Sequence, residues 1–191
     1  MPSWRIHKIL AKLCKIPEET IDWANEFVDK NPVAHDVGRV IVDGQWIPEI
    51  LLHLAELVYE NYGRDALKAV LHHHIIDYAR TLLEGGKYGY MIKHRTARER
   101  VRAISEVLGF VNKVFENIEN IPCCHSEIAK ILTEVARELR PCTLEGVKIL
   151  ASCTGPWGKE FSERLVEEEV NRRIGSHPQN LNLQLLPSAS P

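Results

Sequence analysis

The chain has 191 residues, of which 45% are hydrophobic and 26% are charged, and its formal net charge at neutral pH is −2. This length and composition predict one globular domain and exclude collagen-like, mucin-like and largely disordered chains. The near-zero net charge also excludes nucleic-acid binding by overall charge, so any basic function must depend on a local patch.

Helical periodicity dominates the first half of the chain, where a helix is predicted for each of four segments: 4–14, 17–31, 48–62 and 64–84. Pro17 suits the first turn of the second helix, and Pro32 should end that helix at about Asn31. Gly63 separates the third helix from the fourth. Residues 33–47 break the pattern, and we expect at most one short β-hairpin near 37–46.

The second half of the chain predicts a loop at 85–90 and then helices at 96–117, 126–140, 143–151 and 156–175. Thr96 is expected to cap the first of these helices, and Pro141 to end the second. The polar segment 176–191 is predicted to be a disordered tail. The fold class expected is therefore all-α, with a single helical domain of seven or eight helices at 1–175.

Five cysteines are present, namely Cys14, Cys123, Cys124, Cys142 and Cys153. Their odd number argues against a secreted disulfide framework, and their spacing matches no common zinc module. We expect them to be small buried apolar residues. No uncharged apolar run of about 18 residues occurs and the N-terminus lacks an apolar signal core, so the expected location is cytoplasmic, without membrane association.

Six of the nine histidines precede residue 75: His7, His35, His53, His72, His73 and His74. Neutral imidazole is the commonest metal ligand in proteins, and carboxylates are its usual companions. Helical geometry places His74 inside the apolar stripe of 64–84, His73 further out and His72 on the opposite flank. Either His73 or His74 can therefore act with Asp77 on one face. The alternative interpretation is that the histidines are core and solvated surface residues.

The order of these residues resembles that of the HD superfamily of metal-dependent phosphohydrolases. The matching positions are His7, the doublet His35-Asp36 within Ala34-His35-Asp36-Val37-Gly38-Arg39, and Asp77, so the resemblance covers 7–77. It implies a helical core in which these residues hold a divalent ion. It also implies that His53, His73 and His74 stand where some branches of the superfamily add histidines for a second metal ion.

A basic segment follows the fourth helix: 87–102 contains Lys87, Lys93, Arg95, Arg98, Arg100 and Arg102 with a single acid, Glu99. Such a segment suits a phosphorylated small molecule or single-stranded nucleic acid. Its residues Lys93, Arg95 and Arg98, together with Arg39, are the candidate phosphate-binding residues. The alternative is a solvated helix start whose arginines pair with neighbouring acids.

The function expected is a divalent-metal-dependent phosphohydrolase acting on a nucleotide, another phosphate ester or single-stranded nucleic acid. Asp36 and Arg39 are its candidate catalytic residues, and the cofactor is one of Mn, Mg, Zn, Fe, Co or Ni. The carboxylate of Asp36 is expected within reach of the same ion as His73 or His74. The alternative function is a non-enzymatic helical interaction protein that binds a partner through 87–102 or its charged helix faces.

Overall fold

The fold is given by a computed structural model, which describes residues 4–35, 48–122, 126–153 and 163–176. These residues form α1 (Trp4–Ala11), a 3₁₀-helix (Lys12–Cys14), α2 (Glu18–Lys30), α3 (Pro48–Glu84), α4 (Gly86–His94), α5 (Ala97–Glu119), α6 (Glu127–Cys153) and α7 (Glu163–Gly175). The described ranges contain no β-strand, so the predicted all-α class is confirmed. The predicted hairpin at 37–46 and nearly all of the predicted tail, 177–191, lie outside the described residues.

Helix α3 is the centre of the molecule. It packs against α6, α2, α5 and α4, and its backbone breaks at Gly63, where φ is 82°. Glycine tolerates this positive φ because it has no Cβ. The half of α3 after Gly63 is enclosed by neighbouring helices and buries several large apolar side chains completely or nearly so: Leu67, Leu71, Ile75, Ile76 and Leu83. In the middle of this half, at 69–76, every residue is buried, so polar side chains there have no solvated face.

Helix α4 corrects one prediction, because the segment 85–90 was expected to be a loop. Gly85 has an extended backbone and interrupts the helical path, and the chain then resumes a helix directly at Gly86. Ile92 is 1% exposed, and Tyr88 and Met91 pack against the core. A Cβ on Gly89 would lie 2.5 Å from the Glu84 carbonyl oxygen, so glycine permits this close approach of two helices.

Helix α6 corrects a second prediction, because it continues through Pro141 instead of ending there. Proline removes one helical hydrogen bond and usually breaks a helix. Here buried residues on both sides of Pro141, among them Leu139, Thr143 and Val147, keep the two halves packed on the core. Tertiary burial therefore outweighs the local cost of the proline.

Residues 32–35 form a helical turn where an irregular segment was expected. The side-chain carbonyl of Asn31 accepts hydrogen bonds from the backbone N–H of Val33 (3.0 Å) and Ala34 (3.2 Å). Asn31 thus caps this turn, and Pro32 occupies its first position, where the missing N–H costs nothing. His35 is the last residue of this turn that the structure describes.

A disulfide joins Cys14, at the end of the 3₁₀-helix, to Cys142 in α6, across 128 residues of sequence. The expectation that all the cysteines are free thiols in the core is therefore wrong for this pair. Their pairing could not be found from spacing, because it depends on the packing of α1 and the 3₁₀-helix against α6. Cys153 is a free thiol in the described part of the chain.

Among the described residues, no helix combines the length and the apolar character needed to cross a membrane.

Candidate metal centre

Three helices meet at one cluster of polar side chains near the start of the chain. Each helix contributes two residues about one turn apart, so that both point to the same side: Trp4 and His7 from α1, Asn25 and Asp29 from α2, and His73 and Asp77 from α3. Helix α1 packs against α2 and α3, and α2 packs against α3. The spacing within each helix and the packing between them together create the cluster.

His7, His73 and Asp77 form the centre of the cluster. Nε2 of His7 lies 3.0 Å from Oδ1 of Asp77, and Nε2 of His73 lies 3.2 Å from Oδ2 of the same carboxylate. The two rings are perpendicular, with centroids 4.3 Å apart. Each of the three residues offers one ligand atom, and these atoms lie within 4.8 Å of one another. This group can hold a metal ion.

Asn25 lies on the side of the two imidazoles that faces away from Asp77. Its Oδ1 lies 2.9 Å from Nδ1 of His7 and 2.8 Å from Nδ1 of His73, which are themselves 2.9 Å apart. Asn25 is completely buried. One amide oxygen therefore faces both rings on the side away from Asp77.

Asp29 places a second carboxylate beside His73. Its Oδ1 lies 3.7 Å from Nε2 of His73, and its Oδ2 accepts a hydrogen bond of 2.6 Å from the indole N–H of Trp4. The Trp4 contact fixes the carboxylate at the edge of the cluster. Asp29 is thus near enough to add an oxygen ligand to an ion held by the central three residues.

Burial differs sharply across the cluster. His7 is 0% exposed and His73 is 1% exposed, whereas the Asp77 side chain is 33% exposed and gives the cluster its opening to solvent. Burial lowers the pKa of His73, against the opposing effect of its hydrogen bond to Asp77. Burial alone would raise the pKa of the Asp77 carboxyl, but the contacts with His7 and His73 outweigh it and hold that pKa well below its usual range. Asp77 is therefore an anion at neutral pH.

The donors and acceptors of the cluster show why a cation fits it. A neutral imidazole carries one N–H, and here Nδ1 of each ring faces the acceptor oxygen of Asn25. If both Nδ1 atoms carry the proton, both Nε2 lone pairs are directed at the Asp77 carboxylate, which is also an acceptor. Nε2 of His73 is buried and faces two carboxylate oxygens, Oδ2 of Asp77 at 3.2 Å and Oδ1 of Asp29 at 3.7 Å. A cation between the two Nε2 atoms and Asp77 would satisfy all three groups.

The histidines of the predicted site are distributed differently from the expectation. His73, expected further out, is the buried member of the cluster, and His74 is buried beside it with ring centroids 5.8 Å apart. His53, expected to face partly inward, is exposed. Neither His53, His74 nor His35 belongs to the group of converging ligand atoms in the described chain.

His72 occupies the opposite flank of α3, as predicted, but is also fully buried. Its Nδ1 lies 3.3 Å from the hydroxyl oxygen of Thr143 and 3.9 Å from Sγ of Cys14. Burial lowers the pKa of both His72 and His74 to about 3. All three consecutive histidines are buried because neighbouring helices enclose α3 on every side at this point.

His35 ends the capped turn at 32–35, and its side chain is exposed. Burial and the neighbouring His73 lower the pKa of His74, Asp77 opposes them, and His35 adds a smaller lowering effect. The turn therefore lies near the part of α3 that carries the cluster. Asp36 and Arg39, which follow it, lie outside the described residues.

The predicted phosphate-binding residues lie around the start of α5. Arg95 and Arg98 are exposed, and the guanidinium carbon of Arg95 lies 5.4 Å from the centre of the Tyr90 ring. The side chain of Lys93 lies outside the described part of the structure. Nε of Arg102 lies 2.8 Å from a carboxylate oxygen of Glu106. This ion pair agrees with the alternative interpretation, in which the arginines of the segment pair with neighbouring acids.

Asn25, Asp29 and Trp4 were missed by the sequence analysis. Asn25 occupies a position on the apolar stripe of α2, together with Ile21, Ala24 and Val28. A polar residue on such a stripe must find a partner inside the protein, and this is the signal that could have identified it. Asp29 follows Asn25 by one helical turn and therefore shares its direction.

Comparisons with protein-family models, with curated proteins and with solved structures found no match.

Proposed function

We propose that the chain is a divalent-metal-dependent phosphohydrolase whose ion is held by Nε2 of His7, Nε2 of His73 and the carboxylate of Asp77. The observation that carries this proposal is the convergence of two buried imidazoles and one ionised carboxylate within 4.8 Å. Two imidazoles and a carboxylate suit Zn, Mn, Fe, Co or Ni better than Mg, which prefers an all-oxygen shell.

The residues of the cluster have separate roles in this proposal. His7 and His73 bind the ion from the buried side, and Asp77 binds it from the side that opens to solvent. Asp29, held by Trp4, adds negative charge beside His73. A divalent ion in this place supplies a Lewis acid that polarises a phosphoryl oxygen and makes water more acidic. The one-third exposure of Asp77 gives a phosphate ester a path to that position.

The resemblance to the HD superfamily supports phosphate as the reacting group. Its doublet begins with His35, the last described residue of the 32–35 turn, and the effect of His35 on the pKa of His74 supports a position of that turn on the same side of α3. We propose that Asp36 completes the ligand set and that Arg39 offsets the charge of the phosphate. The substrate classes proposed are a nucleotide, another phosphate ester and single-stranded nucleic acid.

Metal binding is the first test of this function. The purified full chain is stripped with a chelator and titrated calorimetrically with Zn²⁺, Mn²⁺ and Ni²⁺, and we expect one ion per chain. Asp77→Asn should weaken binding at least tenfold, because it removes the only negative charge among the three central ligands. His53→Gln is the matched control and should bind as the wild type does, because His53 is exposed and outside the cluster. Wild-type protein that takes up no ion would refute the proposal.

Hydrolysis is the second test. The metal-loaded protein is assayed with the generic substrates 4-nitrophenyl phosphate and bis-4-nitrophenyl phosphate, which separate monoesterase from diesterase activity. We expect turnover that depends on the ion and falls at least 100-fold in Asp77→Asn and in Asp36→Ala. Full activity of Asp36→Ala would remove the doublet from the proposed ligand set and leave the central three residues as the site.

The basic segment supports a second candidate function, a non-enzymatic protein that binds single-stranded nucleic acid. Arg98 is exposed and forms no ion pair with any described residue, and Arg95 approaches the exposed ring of Tyr90. Guanidinium groups and an exposed ring are suited to phosphates and bases. Fluorescence anisotropy with a labelled single strand tests it: binding should weaken with salt and fall in Arg95→Glu/Arg98→Glu. Retention of hydrolysis in that double variant would separate the two functions.

A further inference from the structure

Asn25 is the most deeply buried polar partner of the cluster, and the proposed ligand set does not use it. It is 0% exposed, and its Oδ1 approaches Nδ1 of both His7 and His73 within 2.9 Å. Nothing requires asparagine at this position of α2, where Ile21, Ala24 and Val28 supply an apolar stripe. A buried amide on this stripe depends on polar partners from other helices, and the two Nδ1 atoms supply them.

Histidines that bind metals through one ring nitrogen usually donate the other N–H to an acceptor, which fixes the tautomer and the ring orientation. In most sites each histidine has its own acceptor. Here a single amide oxygen lies on the Nδ1 side of both rings, 2.9 and 2.8 Å away, while Asp77 lies on the Nε2 side of both. The two rings therefore share one acceptor on one side and one carboxylate on the other.

We propose that Asn25 is the positioning residue of this centre: its Oδ1 accepts an Nδ1–H from His7 and from His73 and so presents both Nε2 lone pairs to the same ion. The inference rests on the proposed metal binding but concerns a residue outside the ligand set. Asn25 acts through the two imidazoles and does not contact the substrate.

Three other arrangements of the same atoms make different predictions. If one ring donated its Nδ1–H to Nδ1 of the other, 2.9 Å away, the second ring would carry its proton on Nε2 and donate it to Asp77, and only one Nε2 would be open to an ion. If the amide were reversed, its NH₂ would donate to both Nδ1 atoms, and both rings would carry the proton on Nε2 and donate it to Asp77. Both Nε2 atoms would then be protonated and could not coordinate an ion on the Asp77 side. If the ion instead lay between the two Nδ1 atoms and Oδ1, which are mutually 2.8–2.9 Å apart, coordination would occur through Nδ1.

The experiment compares wild type, Asn25→Leu and Asn25→Asp. Leucine keeps the branched shape at somewhat larger volume and removes the acceptor, and aspartate keeps an acceptor at the same place. We expect Asn25→Leu to bind Zn²⁺ 10- to 100-fold more weakly than wild type, the range found for loss of such outer partners, and Asn25→Asp to bind at least as tightly at pH 8. Circular dichroism and thermal unfolding without metal establish that all three proteins are folded.

Nitrogen NMR of the imidazoles gives a readout that a merely structural role would not change. In zinc-loaded wild type, the Nδ1 atoms of His7 and His73 should carry protons and the Nε2 atoms should be coordinated. Equal zinc affinity of wild type and Asn25→Leu, or coordination through Nδ1, would overturn the inference and leave the metal site standing. Wild-type protein that binds no zinc would overturn the metal site and the inference together. Should Asn25→Leu fail to fold, the NMR of the wild type alone decides between Nε2 and Nδ1.

Discussion

A buried imidazole without a counter-ion makes a fold sensitive to acid, and His72 is such a residue. Its ring contacts the neutral atoms Thr143 Oγ1 and Cys14 Sγ. The ionisable groups that influence it are His7, His73 and Lys68, none of which would stabilise a positive ring. Burial holds its pKa at about 3, against 6.5 for an exposed histidine. The unfolded chain therefore takes up a proton between these values that the folded chain does not.

The sign of the pH dependence follows from this difference. The free energy of unfolding should be highest above pH 6.5 and fall as the pH decreases toward 3, with at most about 1.4 kcal/mol per pH unit from one histidine. Urea unfolding of metal-free protein at pH 7.5, 6.5, 5.5 and 4.5 measures it. His72→Asn, whose amide can replace the Nδ1 contact, should flatten the slope. His53→Gln should keep the wild-type slope, and a slope unchanged in His72→Asn would contradict the argument.

The cluster also shows how far individual residues can be predicted from sequence. His73 and Asp77 were candidate ligands because histidine and aspartate one turn apart on a helix share a direction, and His7 was a candidate through the resemblance to the HD superfamily. The choice between His73 and His74 could not be made, since the surface that α3 turns toward α1 and α2 depends on packing. Asn25 and Asp29 were missed because neither residue type is diagnostic of a metal site. Their role appears only when α2 is placed beside α1.

At the scale of helices, local signals succeeded wherever no tertiary contact opposed them. Thr96 and Glu99 form the capping box that begins α5, and Gly63 adopts a positive φ. The failures lie at Gly85 and Pro141, where the local preference for a break is real but neighbouring helices bury the residues on both sides. Packing against neighbouring helices therefore explains both helix α4 and the continuity of α6. Neither can be predicted from a local sequence pattern.

Two glycines in helices test this distinction between local preference and packing. Gly89→Ala should destabilise the protein by about 1–3 kcal/mol, because its Cβ would lie 2.5 Å from the Glu84 carbonyl oxygen and force α4 away from α3. Gly109→Ala is the matched control: a Cβ there meets nothing within 4 Å, and the higher helix propensity of alanine should stabilise α5 by up to about 1 kcal/mol. Chemical denaturation measures both, and opposite signs are expected. Stabilisation by Gly89→Ala would show that α4 does not pack as described.

At the scale of the whole molecule, the Cys14–Cys142 disulfide connects the first and last parts of the helical core. Cys14 directly follows the helix that supplies His7, and Cys142 lies in α6, which packs along α3. A bond between positions 128 residues apart restricts the unfolded chain strongly, since the loss of loop entropy grows with the length of the closed loop. The bond should therefore contribute to the stability of the entire domain and not to one local segment.

Reduction of this disulfide should lower the free energy of unfolding by about 3–5 kcal/mol, the range typical of long closed loops. Guanidinium unfolding with and without a phosphine reductant measures the effect, and Cys14→Ala/Cys142→Ala should match the reduced wild type while becoming insensitive to the reductant. Cys153→Ser is the control, because Cys153 is a free thiol, and its response to the reductant should equal that of the wild type. Because the bond is not part of the His7, His73 and Asp77 cluster, we also expect the reduced protein to retain that cluster at low denaturant and to lose it together with the fold. A change of less than about 1 kcal/mol on reduction would show that the two cysteines are not paired in the folded protein.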